Sequence, residues 1–265
     1  VTHNMTLYAK WVASSSTQYK VKHYQQNLND DGYPASHTDI DNETGTTGQN
    51  ATVTLKHYTG FKTGTYTATT IAANGSTVVE VRYEREKYAV RFNVDGSAGG
   101  SIAVTAVTGG SVTSTSPVTV KHEGSVSFTA SPNTGWEIDS WTLDGSSVNG
   151  TNTSYTLSGI TGNKNVTVKF KKKVYNVSFN VVGGNGTISA RPQGDSENST
   201  GSVSVEHGTQ VTFTAHPHNG WEVDSWSSNV TPQSPNTTAT LMVTAATNVT
   251  VTFKKKVYNV TFSVG

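Results

Sequence analysis

The stretch "GWEIDSW" at residues 135–141 returns as "GWEVDSW" at 220–226, with Val223 in the place of Ile138. Two tryptophans and two carboxylates in seven residues fit two opposed readings. One is an aromatic sugar platform beside a catalytic acid pair; the other is a repeated core element. Along a straight strand side chains alternate faces, so Trp136, Ile138 and Ser140 point one way and Glu137, Asp139 and Trp141 the other. A bulge at Asp139–Ser140 adds one residue, restores the alternation and brings Trp141 to the side of Trp136 and Ile138. A module of about 85 residues with few apolar side chains needs large ones, and tryptophan supplies that buried area. The heptad therefore reads as a bulged core strand. Trp136, Ile138 and Trp141 are expected inside one copy, and Trp221, Val223 and Trp226 inside the other.

Working outward, "VTVKHEGSVSFTASPNTGWEIDSWTLDG" (118–145) aligns with "VSVEHGTQVTFTAHPHNGWEVDSWSSN" (203–229), and "NVTVKFKKK" (165–173) with "NVTVTFKKK" (248–256). "KKKVYNVSFNVVGGNGTISA" (171–190) opens a unit and "KKKVYNVTFSVG" (254–265) opens the next, with Tyr175 and Tyr258 83 residues apart. A weaker start, "KYAVRFNVDGSAGGSIAV" (87–104), opens the first copy. Two related modules are expected at 88–173 and 174–256, a period that belongs to a tandem array. Residues 18–87 follow another pattern: "QYKVKHYQQN" alternates as a strand, "LNDDGYPASHTDIDNETGTTGQN" is polar and turn-rich, and two or three strands follow. The turn "ANGS" (73–76) precedes the closing strand 77–84. "VTHNMTLYAKWV" reads as the closing strand of a preceding module and "SSST" (14–17) as its linker, so 1–17 and 257–265 are expected to be interrupted repeats of a longer protein.

Hydrophobic residues make up 33% of the chain and charged residues 14%, well under the usual quarter or so for charge. Thr, Ser, Asn and Gly fill the difference, which favours strands and turns. No stretch sustains a helical apolar period. A net charge of +1 and a pI near 8.0 give no case for nucleic acid. The chain has no cysteine, which excludes disulfides and thiolate metal sites. No apolar run approaches about 18 residues, so no membrane insertion is expected within 1–265.

These residues carry a resemblance. "NMTLYAKW" (4–11) resembles the terminal strand of the Listeria–Bacteroides, or internalin B-type, repeat. Residues 18–87, with "YKVKHYQQNLNDDGY", "GFKTG" and "GSTVVEVRYER", look like a β-grasp repeat of the same or the mucin-binding-protein-like group. The modules over 88–256 resemble divergent internalin B-repeats, whose glycine, aromatic, alternate apolar residue and tryptophan are here Gly135, Trp136, Ile138 and Trp141. The closing strand supplies Val166, Val168 and Phe170. The second copy has Gly220, Trp221, Val223 and Trp226, then Val249, Val251 and Phe253. The resemblance implies a mainly β chain of three tandem small modules in an elongated arrangement, the first β-grasp-like and the other two related to each other. It implies a monomeric stalk or spacer of a bacterial surface or secreted protein, with neighbouring repeats as partners. It brings no catalytic residues and no cofactor.

Other constellations carry less. Glu137/Asp139 and Glu222/Asp224 mimic a glycosidase pair, but that chemistry needs a cleft and one carboxyl with a raised pKa. Asp30, Asp31, Asp39, Asp41 and Glu43 form the densest acidic patch, a weak calcium candidate that lacks the spacing of a calcium loop. "HPH" (216–218) has "SPN" (131–133) as its counterpart; His122 and His207 correspond, each preceding a glycine turn beside a strand, and no third zinc ligand accompanies them. No G-x-S-x-G elbow is present. A Lys–Asn crosslink common to both repeats is ruled out unless the linker lysines serve, because residues 174–253 contain no lysine. The varied loops 24–50, 105–117, 191–202 and 227–238 leave a rival reading, a module that binds host glycan or host protein. A further rival is the accessory region of a secreted enzyme.

Overall fold

A computed structural model describes residues 5–96, 99–196, 201–232, 236–263 and 265. The first residues of the expected N-terminal strand, parts of the loops 191–202 and 227–238, and Val264 lie outside the described residues. The described chain is built of strands, with no helix among them. In order these are β1 (Thr17–Gln25), β2 (Asp39–Gly45), β3 (Val78–Tyr83), β4 (Lys87–Val94), β5 (Gly100–Gly110), β6 (Val118–Pro132), β7 (Trp136–Leu143), β8 (Ser146–Val148) and β9 (Ser154–Ile160). There follow β10 (Lys164–Lys172), β11 (Val174–Val182), β12 (Gly186–Pro192), β13 (Ser202–Glu206), β14 (Gln210–Pro217), β15 (Trp221–Trp226), β16 (Thr238–Met242) and β17 (Thr247–Lys255).

The first sheet has the order β2-β1-β3, with β2 antiparallel and β3 parallel to β1. A parallel neighbour requires a crossover, and residues 46–77 make it. A β-grasp would place a helix there; this Thr- and Gly-rich stretch instead crosses as an extended segment. Of the two or three strands expected over 51–88, the closing one is β3, and the stretch before it forms only isolated bridges at Asn50–Thr70, Phe61–Arg85 and Thr65–Arg82. It packs Ala51, Ile71, Val53, Tyr58 and Phe61 onto Tyr19, Val21, Val79, Val81 and Tyr83. Conversely, the polar stretch "DIDNETG" is a strand, because the β1 ladder satisfies its backbone while its polar side chains stay partly or wholly exposed.

Strands β4 to β10 join one wide sheet, order β5-β6-β4-β10-β7-β8, with β9 added beside β6. Residues 174–255 form two sheets, β13-β11-β17-β15 and β12-β14-β16. Their inner faces share one core: Val177, Phe179, Val205, Val223, Trp226, Val249 and Val251 from the first, Ile188, Ala190, Val211, Phe213 and Ala239 from the second. This is the sandwich solution for strands with one apolar face each. By compactness the chain divides into two units. One combines the first sheet with most of the wide sheet; the other combines the residues 174–255 sandwich with 94–101 and 131–140.

Candidate functional site

The two heptads are the natural starting point. Between β15 and β17 the register shifts between Val223 and Ser225, so Asp224 is the extra residue of a bulge. Val223 and Trp226 are thereby both buried although three positions apart. In β7 Ile138 and Trp141 are buried at the same spacing. The indole N–H of Trp141 donates to the carbonyl of Asn152 at 2.8 Å, and that of Trp226 to Asn236 at 2.8 Å. Trp136 and Trp221 are only half-buried. Trp136 lies over Gly99, whose missing side chain also makes room for buried Phe170. Phe253, partly buried, packs against the second-repeat core and occupies the equivalent space over Gly186. The first tryptophan of each heptad directly follows a glycine turn, before the strand has entered the core, and this separates it from the second.

The heptad carboxylates pair with lysines. Lys171 lies 3.7 Å from Glu137 and 3.6 Å from Asp139, Lys169 lies 3.8 Å from Asp139, and Lys254 lies 3.9 Å from Glu222 and 3.7 Å from Asp224. These carboxylates thus sit on a solvent-facing ladder beside lysines, and a glycosidase pair would need a cleft across the sugar. The acidic patch is likewise divided. Asp30 accepts from the Gly32 N–H at 2.7 Å and from Asn27 at 2.9 Å, and these bonds hold its carboxyl below the usual carboxylate range. The cation beside this loop is a lysine: buried Lys121 donates to the Asp30 and Asn27 carbonyls and lies 3.1 Å from the Asp31 carboxylate. Asp39 and Asp41 face Lys56 at 3.4 and 2.9 Å, and Glu43 is exposed. Among the described residues no group of three His, Asp or Glu side chains is placed to hold a metal.

Sequence reading missed a buried network on β1. His23 is fully buried; its Nδ1 lies 2.8 Å from the Tyr83 hydroxyl and its Nε2 lies 3.0 Å from Asp41. The Tyr83 oxygen also accepts the Lys56 backbone N–H at 3.0 Å, and because a carboxylate can only accept, the imidazole Nε2–H points at Asp41. The Lys56 ammonium beside Asp41 holds that carboxyl below its ordinary value, and Asp41 in turn raises Lys56. Burial pushes the Tyr58 phenol up, helped by its 3.0 Å bond to Asp39. The arrangement has the parts of a hydroxyl–imidazole–carboxylate relay, but its hydroxyl belongs to the fully buried Tyr83, beyond the reach of a substrate. It ties the crossover segment to the sheet.

The feature repeated most faithfully lies around the linking residues Glu86, Lys173 and Lys256. Turns closed by Phe61 N–H to Tyr58 O, Trp136 N–H to Asn133 O and Trp221 N–H to His218 O carry Gly60, Gly135 and Gly220, each with φ near +79°. That φ at the third turn position is what glycine supplies without strain. The glycine carbonyls accept from Glu86, Lys173 and Lys256 at 2.8, 2.9 and 2.9 Å. A histidine from the next module then donates its N–H to the same linking residue, His122 to Glu86 and His207 to Lys173, both at 2.8 Å. Each imidazole lies against the glycine where a Cβ would otherwise stand. Each also tilts at 57° to a tyrosine two residues beyond the link, Tyr88 or Tyr175, with centroids 6.0 Å apart. His207 Nδ1 is buried with no hydrogen-bond partner. Arg85 reinforces the first joint, donating to Gln26 and His122 carbonyls and lying 4.8 Å over Phe61. The usable sequence signal was the recurrent Gly-aromatic pair with a tyrosine two residues past the link. It is faint in the first module, where "EKY" stands for "KVY".

One cleft has mixed aromatic and charged walls. Tyr24, Tyr33, Pro34, Glu80 and Arg82 enclose about 380 Å³, with Arg82 5.2 Å over the Tyr33 ring.

The model of the divergent InlB B-repeat domain matches residues 100–174 and 175–257. No curated protein matches the chain. Among solved structures, the Bacillus anthracis TIE protein is similar over 91% of this chain and 51% of its own, at 12% identity and a TM-score of 0.42. The pilus adhesin SpaC of Lactobacillus rhamnosus GG, in its open conformation, is similar over 93% of this chain and 44% of its own, at 10% identity and a TM-score of 0.26. The chain thus spans about half the length of these structures.

Proposed function

Because the chain belongs to the divergent InlB B-repeat family, we propose that it is a non-catalytic stalk or spacer region of a bacterial cell-surface or secreted adhesin-like protein. The observation that carries this reading is the recurrent joint. The same glycine turn, backbone bond and histidine–tyrosine contact recur at Glu86 and at Lys173, although residues 18–87 differ in sequence from the two related repeats. A recurring joint rather than a recurring pocket is what a spacer requires, since its work is to set distance between what lies on either side. The modules are taken as 18–87, 88–173 and 174–256, with neighbouring repeats as partners and no cofactor. The paired heptad carboxylates and the inaccessible Tyr83 hydroxyl support a non-enzymatic role.

A second reading rests on the cleft lined by Tyr24, Pro34, Glu80 and the stacked Arg82–Tyr33 pair, whose mixed aromatic and charged groups are of the kind that hold a sugar. Glycan and immunoglobulin arrays probed with the chain separate the two. A spacer gives no specific signal. Saturable binding to one glycan class, lost in Tyr33→Ala, would replace the spacer by a binding module.

A further inference from the structure

We infer that the turn at His218–Trp221 is a third docking seat, built to receive the imidazole of a further repeat that presents a histidine just before a glycine turn, within a strand as His122 does or directly after one as His207 does. This deepens the stalk reading and rests on it. The seat matches the two occupied ones part for part. Gly220 has φ +79°, its turn is closed by the Trp221 N–H, and its carbonyl already accepts the Lys256 N–H at 2.9 Å. Tyr258 stands two residues beyond Lys256, where Tyr88 and Tyr175 stand beyond their linking residues. The difference is occupancy. No atom comes within 4 Å of a Cβ placed on Gly220, whereas imidazole carbons occupy that position at Gly60 and Gly135. Tyr258 is 73% exposed, while Tyr88 and Tyr175 are half-covered.

The chemistry of the occupant follows from the occupied seats. It must offer a backbone N–H to the Lys256 carbonyl and a flat ring thin enough to slide over a glycine. That ring must also be at ease beside a phenol. A strand segment leading into His-Gly or His-Glu-Gly does this in both repeats, in "VEHG" (205–208) directly after β13 and in "VKHEG" (120–124) within β6. The whole unit opened by such a strand is the partner.

The test uses the full chain with residues 174–256 repeated once more after Lys256, so that the natural "KKKVYNV" junction is kept. Amide hydrogen exchange is followed at Trp221 and Lys256. Docking is expected to slow both by about tenfold, the effect of one added and two sheltered hydrogen bonds. Replacing the added copy's equivalent of His207 by alanine should return the rates of the unextended chain. Unchanged rates beside an added copy with dispersed, folded amide signals would overturn the seat. In the unextended chain, His207→Ala should speed Lys173 exchange by about tenfold; no change there overturns the seat however the added copy behaves. Slowing that appears in the unextended chain on raising its concentration would assign the seat to a second copy, against the proposal. Glycan capture on the arrays would remove the spacer reading and leave these exchange results standing, so the two failures are distinguishable.

Discussion

Glycine is the residue that decides how these modules meet. Gly135 and Gly220 share the same positive φ, so alanine strains the backbone equally at both, by about 1–2 kcal/mol. Only at Gly135 does the added methyl also meet a seated ring, that of His207. Overpacking of this kind adds about 1–3 kcal/mol. Gly135→Ala should therefore lower the urea midpoint clearly more than Gly220→Ala, with Gly60→Ala resembling Gly135→Ala because His122 fills its seat. Equal losses at Gly135 and Gly220 would show that the imidazole bears no weight. The histidines illustrate why this was not legible beforehand. His122 and His207 align in sequence, but a histidine before a glycine is an ordinary strand end until the partner glycine, 72 residues upstream for His207, is known to lie under it. The tryptophans were partly legible. Period-2 alternation with one bulge places Ile138 and Trp141 together, and says nothing of the turn that holds Trp136 short of the core.

At the scale of elements, polar bonds between strands and the crossover matter as much as apolar packing. In the first module β1, β2 and the segment at Lys56 are tied by the chain Tyr83–His23–Asp41–Lys56. The Asp41 pKa is lowered in the fold, mainly by Lys56. A depressed carboxyl stabilises the fold above its unfolded value and loses that contribution as pH falls through the folded one. The first module should thus lose stability below about pH 4. In Asp41→Asn that acid-dependent step should be markedly smaller, with lower stability at pH 7, as read from thermal unfolding through the amide signals of Val79 and Val81. An unaltered acid profile in the variant would remove Asp41 from the network. Sequence pattern alone could not find these ties. β2 carries polar residues on both faces, so alternation is silent there, and only the ladder to β1 makes it a strand. The closing strands, by contrast, announce themselves: Val166, Val168 and Phe170 alternate with polar residues and are all buried.

For the whole molecule, the repeats and their period were readable because identical words recur, whereas the joint required atoms from two modules at once. A stalk assembled through such joints makes a prediction about dimension. A compact domain of this length has a radius of gyration of about 18 Å. Small-angle X-ray scattering of the monomeric chain should give a value well above that, with a distance distribution skewed to long distances. His207→Ala should broaden the distribution by loosening one joint. A symmetric distribution with a radius of gyration of about 18 Å, unchanged in His207→Ala, would contradict the proposal that this chain spans distance through histidine-on-glycine joints.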